Sequence, residues 1–431
     1  MKMNQNKLWN RAWVEKQKSK KFKRFLHTRY IRWLFWSSIC KCSTTLRDFI
    51  KFYDYTANVR EFELETYSKY TQKYNLKEIG HELTDAEKEL INLSWNNGGG
   101  VPEEDKKLLE LSWHISRDHI VDFVTHDILA VKLTNATLIG ENGNIIYKNK
   151  IINHENTNPS FISYDIIKPN LKKTIKKHKD ELFFSIVKSE DWHKQFYHFF
   201  IDYLVGIFYL LKALPDTPIT IITNKNLAGF QKVAYDYIMQ NYPHVKMVEM
   251  PKDEIWEIPN LAFVSYECNV HAGFVDKEYL EFLKKIFIEG QDVKIQDDIK
   301  GNRYYISRND TEARNIINED ELVPILEEYG FKVIYPTKYS HKEQVEMFAN
   351  AEAIVAPAGA AFTNLLYARP ETKVVGFYPS DLLSSCHMWT CKGVGIKYHK
   401  HIISGKRENR KDGHYRVEKE QLINALEDMF K

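Results

Sequence analysis

Two arginines and a turn that is nearly bare of side chains are the residue types that bind an anion. Arg308 ends a predicted strand, and Arg314 follows before a predicted helix. Farther on, AIVAPAGAAFTNLLYA passes from a predicted buried strand through a turn at 358–361 into a predicted helix. Small residues let a phosphate reach the free N–H groups and positive dipole end of a helix N-terminus. Because a guanidinium fork matches a diphosphate, the segments together predict a phosphate-binding crevice.

Each of these features also has a structural explanation. Tight helix–strand packing explains the bare turn alone equally well, and a surface ion pair is the commoner role of either arginine alone. Glu319 either caps its predicted helix or contacts the ligand, and Gln344 is structural or contacts a ribose. The combination favours the phosphate interpretation. The candidate ligand contacts are Arg308, Arg314, Glu319, Gln344, Gly359, Ala360, Ala361, Thr363 and Asn364.

Histidines and aspartates earlier in the chain are candidates for a general base. His198 and Asp202 are four residues apart on a predicted helix, so they share a face and the carboxylate can orient the imidazole. The alternative is that they satisfy each other within the core. Asp191 and His193 follow a predicted strand, where crevice ligands bind, and they are reserve candidates. The residues leave the choice of base open.

The segments that position these residues alternate between strands and helices. This rhythm predicts a parallel sheet covered by helices, which restarts after a polar segment at 289–301 as a second, smaller α/β domain. Two facing Rossmann-like domains place a cleft at the carboxyl ends of their strands. The predicted strands are 181–187, 219–223, 245–250, 261–266, 303–308, 332–336, 353–357 and 373–379. The predicted helices are 193–213, 226–240, 277–288, 319–328, 341–350 and one from about 361.

The N-terminal part of the chain has a different character. Residues 61–128 are predicted to be helical, with Thr84 capping one helix, and a strand–turn–strand segment with a turn at 141–143 follows. Between residues 1 and 32, eleven basic residues face one acid and are interleaved with Trp and Phe. This composition favours residues 1–40 lying on an anionic membrane surface. A solvated basic tail is the alternative, and nucleic acid is not predicted as a partner because no recognition motif accompanies the charges.

The length of the chain and its cysteines also predict its domain organisation and cellular location. A chain of 431 residues predicts two packed domains plus an extension, with a helical extension at 1–115 and α/β domains at 116–295 and 296–431. The five cysteines have neither disulfide-framework nor zinc-ligand spacing, which predicts reduced thiols in the cytoplasm. The apolar stretch at 196–214 contains charged residues and is predicted to be buried in the protein. We therefore expect a protein peripheral to the inner face of the plasma membrane. Because no Asp-x-Asp occurs, no metal is predicted.

One continuous block carries a family resemblance. Residues 306–379 resemble the characteristic block of glycosyltransferase family 61, and FYHFFIDYL is similar to the family's Asn-Tyr-x-His-x-x-x-Asp helix. His198 and Asp202 match that helix, with Gln195 where Asn is usual. The matching positions of the block are Arg308, Arg314, Asn318-Glu319, Gly330-Phe331, Gln344, Phe348 and Gly359-Ala360 with Asn364.

The resemblance implies a GT-B fold, with an acceptor domain at 116–295 and a nucleotide-sugar domain at 296–431. It also implies an inverting transfer from a nucleotide-diphosphate sugar. The acceptor it implies is a glycan or lipid-linked glycan of a capsule or lipopolysaccharide. The chain departs from the family pattern at Ala358, where a His usually precedes Gly-Ala. Two alternatives stay open: a scaffold that binds nucleotide sugars without turnover, and an epimerase or hydrolase of nucleotide sugars with the same fold.

Overall fold

The fold is a mixed α/β arrangement built on two β-sheets. The computed structural model describes residues 56–58, 62–75, 83–90, 123–148, 150–153, 174–179, 181–189, 192–265, 273–408 and 413–431. The predicted membrane-binding segment 1–40 and the reserve candidate Asp191 lie outside these ranges.

Within the described residues, the first sheet has ten strands. Its main path has the order β1-β5-β4-β3-β10-β7-β8-β9, while β2 pairs with β3 and β6 pairs with β10. Strands β7, β8 and β9 and their neighbour β10 run parallel, and β10 pairs antiparallel with β3. The strands are β1 (Thr56–Asn58), β2 (Glu65–Asn75), β3 (Phe123–Ile139), β4 (Ile145–Tyr147), β5 (Lys150–Asn153), β6 (Thr174–Lys177), β7 (Leu182–Ser185), β8 (Ile219–Asn224), β9 (Val245–Met250) and β10 (Glu254–Val264).

Two expectations about this sheet were wrong. The sheet is mixed and not purely parallel, because the long β3 lies beside β10 in the opposite direction. The helical prediction for 61–128 also fails at β2, which pairs with β3 over nearly its whole length. The segment ETYSKYTQKYN is rich in Thr and Tyr and lacks a helical apolar stripe, so pairing with an existing strand decides its conformation.

Other N-terminal predictions are confirmed. Helix α1 (85–90) begins after Thr84, whose hydroxyl accepts from the Glu87 N–H at 3.2 Å while the Glu87 carboxylate accepts from the Thr84 N–H at 2.7 Å. The predicted turn joins β3 to β4, and Gly143 there has a φ of 73°.

Three helices cover one face of the first sheet. They are α2 (196–213), α3 (Gly229–Asn241) and α4 (277–289). Helix α2 contains a π-helical segment, Phe199–Tyr203. It is also long and apolar enough to cross a membrane, but 61% of it is buried within the protein, as core helices of soluble proteins are. Among the described residues, no other helix meets that length and composition.

The second sheet is entirely parallel and has the strand order β12-β11-β13-β14-β15. Helices α5 and α8 pack into the apolar cluster on one face, while α6, α7 and a 3-10 helix pack on the other. The strands are β11 (Arg303–Ile306), β12 (Phe331–Ile334), β13 (Ala353–Pro357), β14 (Lys373–Pro379) and β15 (Tyr398–Ser404). The helices are α5 (Glu319–Glu328), α6 (His341–Ala349), α7 (Cys386–Val394) and α8 (Lys419–Met429), and the 3-10 helix is Ala360–Tyr367.

The two sheets share one apolar cluster. Leu366 and Tyr367 of the 3-10 helix are buried in the same cluster as the helices of the first sheet. His341, the first residue of α6, lies among aromatic rings from both parts, with ring centroids 5.1 Å from Phe287 and 5.4 Å from Phe196. An α/β architecture with two sheets is therefore confirmed, whereas the GT-B layout and the domain boundaries stay predictions.

Candidate functional site

The strand order of the second sheet creates a crevice at one place. Strand β11 lies between β12 and β13, so the chain moves outward in one direction from β11 to β12 and then returns to the other side at β13. In open parallel sheets, ligands bind outside the carboxyl ends of the strands at such a reversal. Arg308 lies two residues beyond the end of β11, and Gly359 lies two residues beyond the end of β13.

Arg308 and Gly359 are in direct contact at this reversal. A Cβ atom built on Gly359 would lie 2.1 Å from Arg308 Nη1 and 3.1 Å from Arg308 Cζ. The φ of Gly359 is −179°, an extended conformation that any residue adopts. The glycine is therefore required for space and not for its backbone conformation, and the bare turn makes room for a guanidinium.

The second arginine approaches the same turn. Arg314 Nη1 donates to the Ala358 carbonyl at 3.4 Å, and Arg314 has a left-handed φ of 62°. Burial, together with the positive charge of Arg314, lowers the pKa of Arg308 to about 10. The two cations are therefore close enough to repel each other, and an anion bound between them would relieve that repulsion.

The hydrogen bonds of these arginines differ from those of structural arginines in the same sheet. Arg308 Nε and Nη2 both donate to the Ala313 carbonyl, at 3.3 and 3.2 Å. Within the described ranges, neither Arg308 nor Arg314 forms an ion pair with a carboxylate, whereas Arg303 pairs with Glu352 at 2.9 Å. Such a half-buried pair of cations beside small residues is the arrangement that binds a diphosphate.

Glu319 holds the loop that carries Arg308. It is 5% exposed, and its carboxylate accepts hydrogen bonds from Tyr305 Oη at 2.6 Å and Ser307 Oγ at 3.0 Å, and also from the Asn309 side-chain amide. Since alternate residues of an extended segment point to the same side, these three converge on Glu319 while Arg308 points away toward Gly359. The geometry makes Glu319 a positioning residue for Arg308.

The remaining predicted ligand contacts lie in α6 and in the 3-10 helix that follows the turn. Asn364 is fully buried and donates from Nδ2 to Gln344 Oε1 at 3.0 Å, and Gln344 Nε2 donates to the carbonyls of Pro336 and Tyr339. Thr363 is 2% exposed. Asn364 and Gln344 thus connect the helix that follows the turn to α6. Ala360 and Ala361 are half-buried at the surface of the turn, and the helix they begin is a 3-10 helix instead of the predicted α-helix.

The first sheet contributes the histidine–aspartate pair. His198 Nδ1 and Asp202 Oδ2 are 2.5 Å apart, as the spacing of four residues predicted. Both side chains keep some solvent exposure, 23% and 19%. Asp202 therefore fixes the orientation of the imidazole through Nδ1. The reserve candidate His193 is 3% exposed, and its carbonyl accepts from Gln231 Nε2 at 2.7 Å.

Lys188 is a site residue that the sequence analysis missed. It follows β7 at the carboxyl end of a parallel strand, and its backbone is held by two hydrogen bonds with the Asn224 side chain, of 2.9 and 2.7 Å. Its Nζ lies 5.2 Å from the centroid of the Tyr203 ring. Burial lowers the pKa of Lys188 to about 8, while the charge of Asp202 opposes that shift. Its position just after a predicted strand was the available signal.

Tyr197 connects the two halves of the site. Its ring centroid is 5.3 Å from that of His198 and 6.2 Å from that of His387, at the start of α7. The positive charges of Arg314 and Arg308 in turn act on His387. Tyr197 therefore lies between the histidine–aspartate pair and His387, on which the charges of the two arginines act. No group of three or more His, Cys, Asp or Glu among the described residues is arranged to hold a metal ion.

A comparison with protein families finds a match that spans this site. A family model described as Glycosyltransferase 61 matches residues 196–375. The match supports a glycosyltransferase of family 61. It begins at α2, which carries His198, and ends within β14, so it spans both the histidine–aspartate pair and the Arg308–Gly359 contact. No curated protein matches the chain.

The matched segment is less than half of the 431 residues, and several features of the site lie outside it. Lys188, His193 and His387 are among them. Their roles therefore rest on the geometry of this chain alone.

Proposed function

We propose that this protein is an inverting glycosyltransferase that moves a sugar from a nucleotide-diphosphate donor to a glycan or lipid-linked acceptor. The observation that carries the proposal is the contact of Arg308 with Gly359 at the reversal of a parallel sheet, with Arg314 beside it. A sugar transferase must stabilise the charge that develops on a leaving diphosphate. Two arginines without a carboxylate partner in the described ranges are suited to that task.

The histidine–aspartate pair supplies the second requirement, a general base. In the proposed step, the imidazole of His198 takes the proton of an acceptor hydroxyl as the hydroxyl oxygen bonds to the anomeric carbon of the donor sugar. The bond from that carbon to the diphosphate oxygen breaks, and its electron pair leaves with the diphosphate beside Arg308 and Arg314. Asp202 keeps the imidazole in the correct tautomer and stabilises it once protonated.

Donor binding tests the proposal most directly. The full-length protein is screened by thermal shift against nucleoside-diphosphate sugars carrying different bases and sugars, since selective binding stabilises the native state. At least one donor should raise the melting temperature. Arg308→Ala should abolish that increase, whereas Arg416→Ala, which removes an exposed arginine paired with Glu321, should not.

Product analysis separates the proposal from its alternatives. A transferase needs an acceptor, so sugar should be transferred with inverted anomeric configuration only when an acceptor glycan is present. Altered or hydrolysed donor without an acceptor would indicate an epimerase or hydrolase. Binding without turnover toward any acceptor would indicate a scaffold.

We further propose that the acceptor belongs to a surface polysaccharide, and that residues 1–40 hold the enzyme at the inner face of the plasma membrane. The basic and aromatic composition of that segment supports the proposal. The full chain should sediment with vesicles containing anionic lipid and not with zwitterionic ones, and a variant lacking residues 1–40 should stay in solution. Equal sedimentation of both proteins would refute the role of this segment.

A further inference from the structure

His387 is a buried histidine that the proposed mechanism does not yet use. It is the second residue of α7, which follows β14, the neighbour of β13 in the second sheet. The side chain is 6% exposed. It lies beyond residue 375, where the family match ends.

The ring of His387 contacts one residue from each half of the site. Its ring makes an edge-on contact with Phe362 of the 3-10 helix, with centroids 5.0 Å apart, and a second edge-on contact with Tyr197 at 6.2 Å. Phe362 is three residues after Gly359. His387 is thus packed against the 3-10 helix that begins at the turn contacted by Arg308.

The imidazole has polar capacity that its protein neighbours do not use. Nδ1 is buried and finds no hydrogen-bond partner within the part of the chain that the structure describes. A buried polar atom without a partner is costly, so native structures keep few of them, and an apolar ring would fill the same space without that cost. Packing alone therefore does not explain why residue 387 carries ring nitrogens.

The two arginines affect the protonation state of the His387 imidazole. Burial, together with the charges of Arg314 and Arg308, lowers the pKa of His387 to about 3, so the ring is neutral at physiological pH. A neutral imidazole carries one N–H donor and one acceptor nitrogen. Beside two cations, the ligand such an N–H would meet is an oxygen of the anion that the cations attract.

We propose that His387 is a third ligand of the diphosphate, donating a neutral N–H hydrogen bond to a phosphate oxygen beside Arg308 and Arg314. The inference rests on the proposed function, because it assumes that the crevice takes a diphosphate. It adds a residue from α7 to a site otherwise formed by the segments after β11 and β13. Helix α7 thereby takes part in donor recognition.

Replacing His387 tests the hydrogen bond separately from the packing. Inorganic pyrophosphate and the diphosphates of uridine, guanosine, cytidine and thymidine are titrated calorimetrically into the full-length protein. His387→Phe keeps a ring against Phe362 and removes the nitrogens, and it should weaken binding about ten- to one-hundredfold, the range for a hydrogen bond to a charged group. His387→Gln restores an N–H donor and should bind within a few-fold of the wild type.

Two further variants serve as controls. Arg308→Ala should lose binding, which establishes that the probe occupies the proposed crevice. His178→Phe replaces a histidine that packs against Trp256 in the first sheet and should bind normally.

The possible outcomes separate this inference from the function. If His387→Phe binds as tightly as the wild type while Arg308→Ala does not, the role of His387 is wrong and the function stands. Equal losses in His387→Phe and His387→Gln would also overturn the inference, because they would indicate a packing role. If the wild type binds neither pyrophosphate nor any of the nucleotides, both proposals fall.

Discussion

Adding a single methyl group at Gly359 should disable the donor site without unfolding the protein. In Gly359→Ala the new Cβ would lie 2.1 Å from Arg308 Nη1, whereas ordinary contact begins at 3.4 Å. The extended φ of −179° accepts alanine without strain, so the clash falls on the guanidinium. Arg308 must then move by roughly 1 Å or more, the difference between a clashing and an ordinary carbon contact.

The expected loss of activity in Gly359→Ala follows from the displacement of Arg308. Misplacing a binding group by about 1 Å costs about a hundredfold in rate, or about 2.7 kcal/mol at 1.36 kcal/mol per tenfold. We expect kcat/KM to fall by about that factor and donor affinity to fall with it. The unliganded protein should not lose stability, because alanine restricts the unfolded chain relative to glycine by about 0.4–1 kcal/mol.

The assay compares the wild type, Gly359→Ala, Arg308→Ala and the double variant. Donor affinity is measured by calorimetry, and the melting temperature is measured without ligand. If the methyl group acts through Arg308, the double variant should bind no more weakly than Arg308→Ala alone. The control is Gly229→Ala at the start of α3, where a Cβ would have no neighbour within 4 Å.

Two results would refute this reasoning. Wild-type donor affinity in Gly359→Ala would mean that the position of Arg308 does not matter for binding. Additive losses in the double variant would mean that the turn acts independently of the guanidinium.

Three further predictions address the supporting residues. Glu319→Ala leaves three donors without their acceptor, so it should lower the free energy of unfolding in urea by about 2–4 kcal/mol and weaken donor binding; an unchanged denaturation midpoint would contradict it. His198→Gln and Asp202→Asn should lower kcat by about 10²–10⁴-fold with donor affinity retained, and rates near wild type would exclude this pair as the base. Burial lowers the pKa of His341 to about 4, and burial with the charge of His399 lowers that of His401 to about 3, against 6.5 when unfolded. The unfolded chain therefore binds more protons, so each should contribute stability above about pH 6.5 that declines by up to about 1.4 kcal/mol per pH unit as the pH falls toward 4. Denaturation of His341→Phe and His401→Phe at several pH values measures this, and an unchanged pH slope would contradict it.

The fold could be predicted best where local signals agree. Strands β9, β13 and β14 and helix α5 have the predicted bounds, since clear breaks flank them and β13 and β14 are nearly continuous apolar runs. Helix α6 begins after Ser340 as predicted, and Ser340 and Glu343 cap it reciprocally. Helix α7 was missed because six of its nine residues are buried, which leaves no amphipathic stripe to detect.

The candidate site was predictable as a set of segments but not as a geometry. Arg308 ends one predicted strand and the turn at Gly359 follows another, so both belong at the carboxyl edge of a sheet. Their contact also requires β11 and β13 to be neighbours although β12 lies between them in sequence, and strand order is a property of the whole sheet. His387 could not be predicted as a site residue for the same reason. The position of α7 next to the site depends on the place of β14 in the sheet.

The electrostatics of the crevice connect its stability to its function. Arg308 and Arg314 lie close enough for each to disfavour the charge of the other, and half-burial removes part of the water that would screen them. Without ligand these charges lower the stability of the folded chain, whereas with a bound diphosphate the same charges attract it. Removing either cation should therefore relieve repulsion in the free protein and weaken the complex. Stability and donor affinity should consequently change in opposite directions among variants of Arg308 and Arg314, which a purely structural arginine pair would not produce.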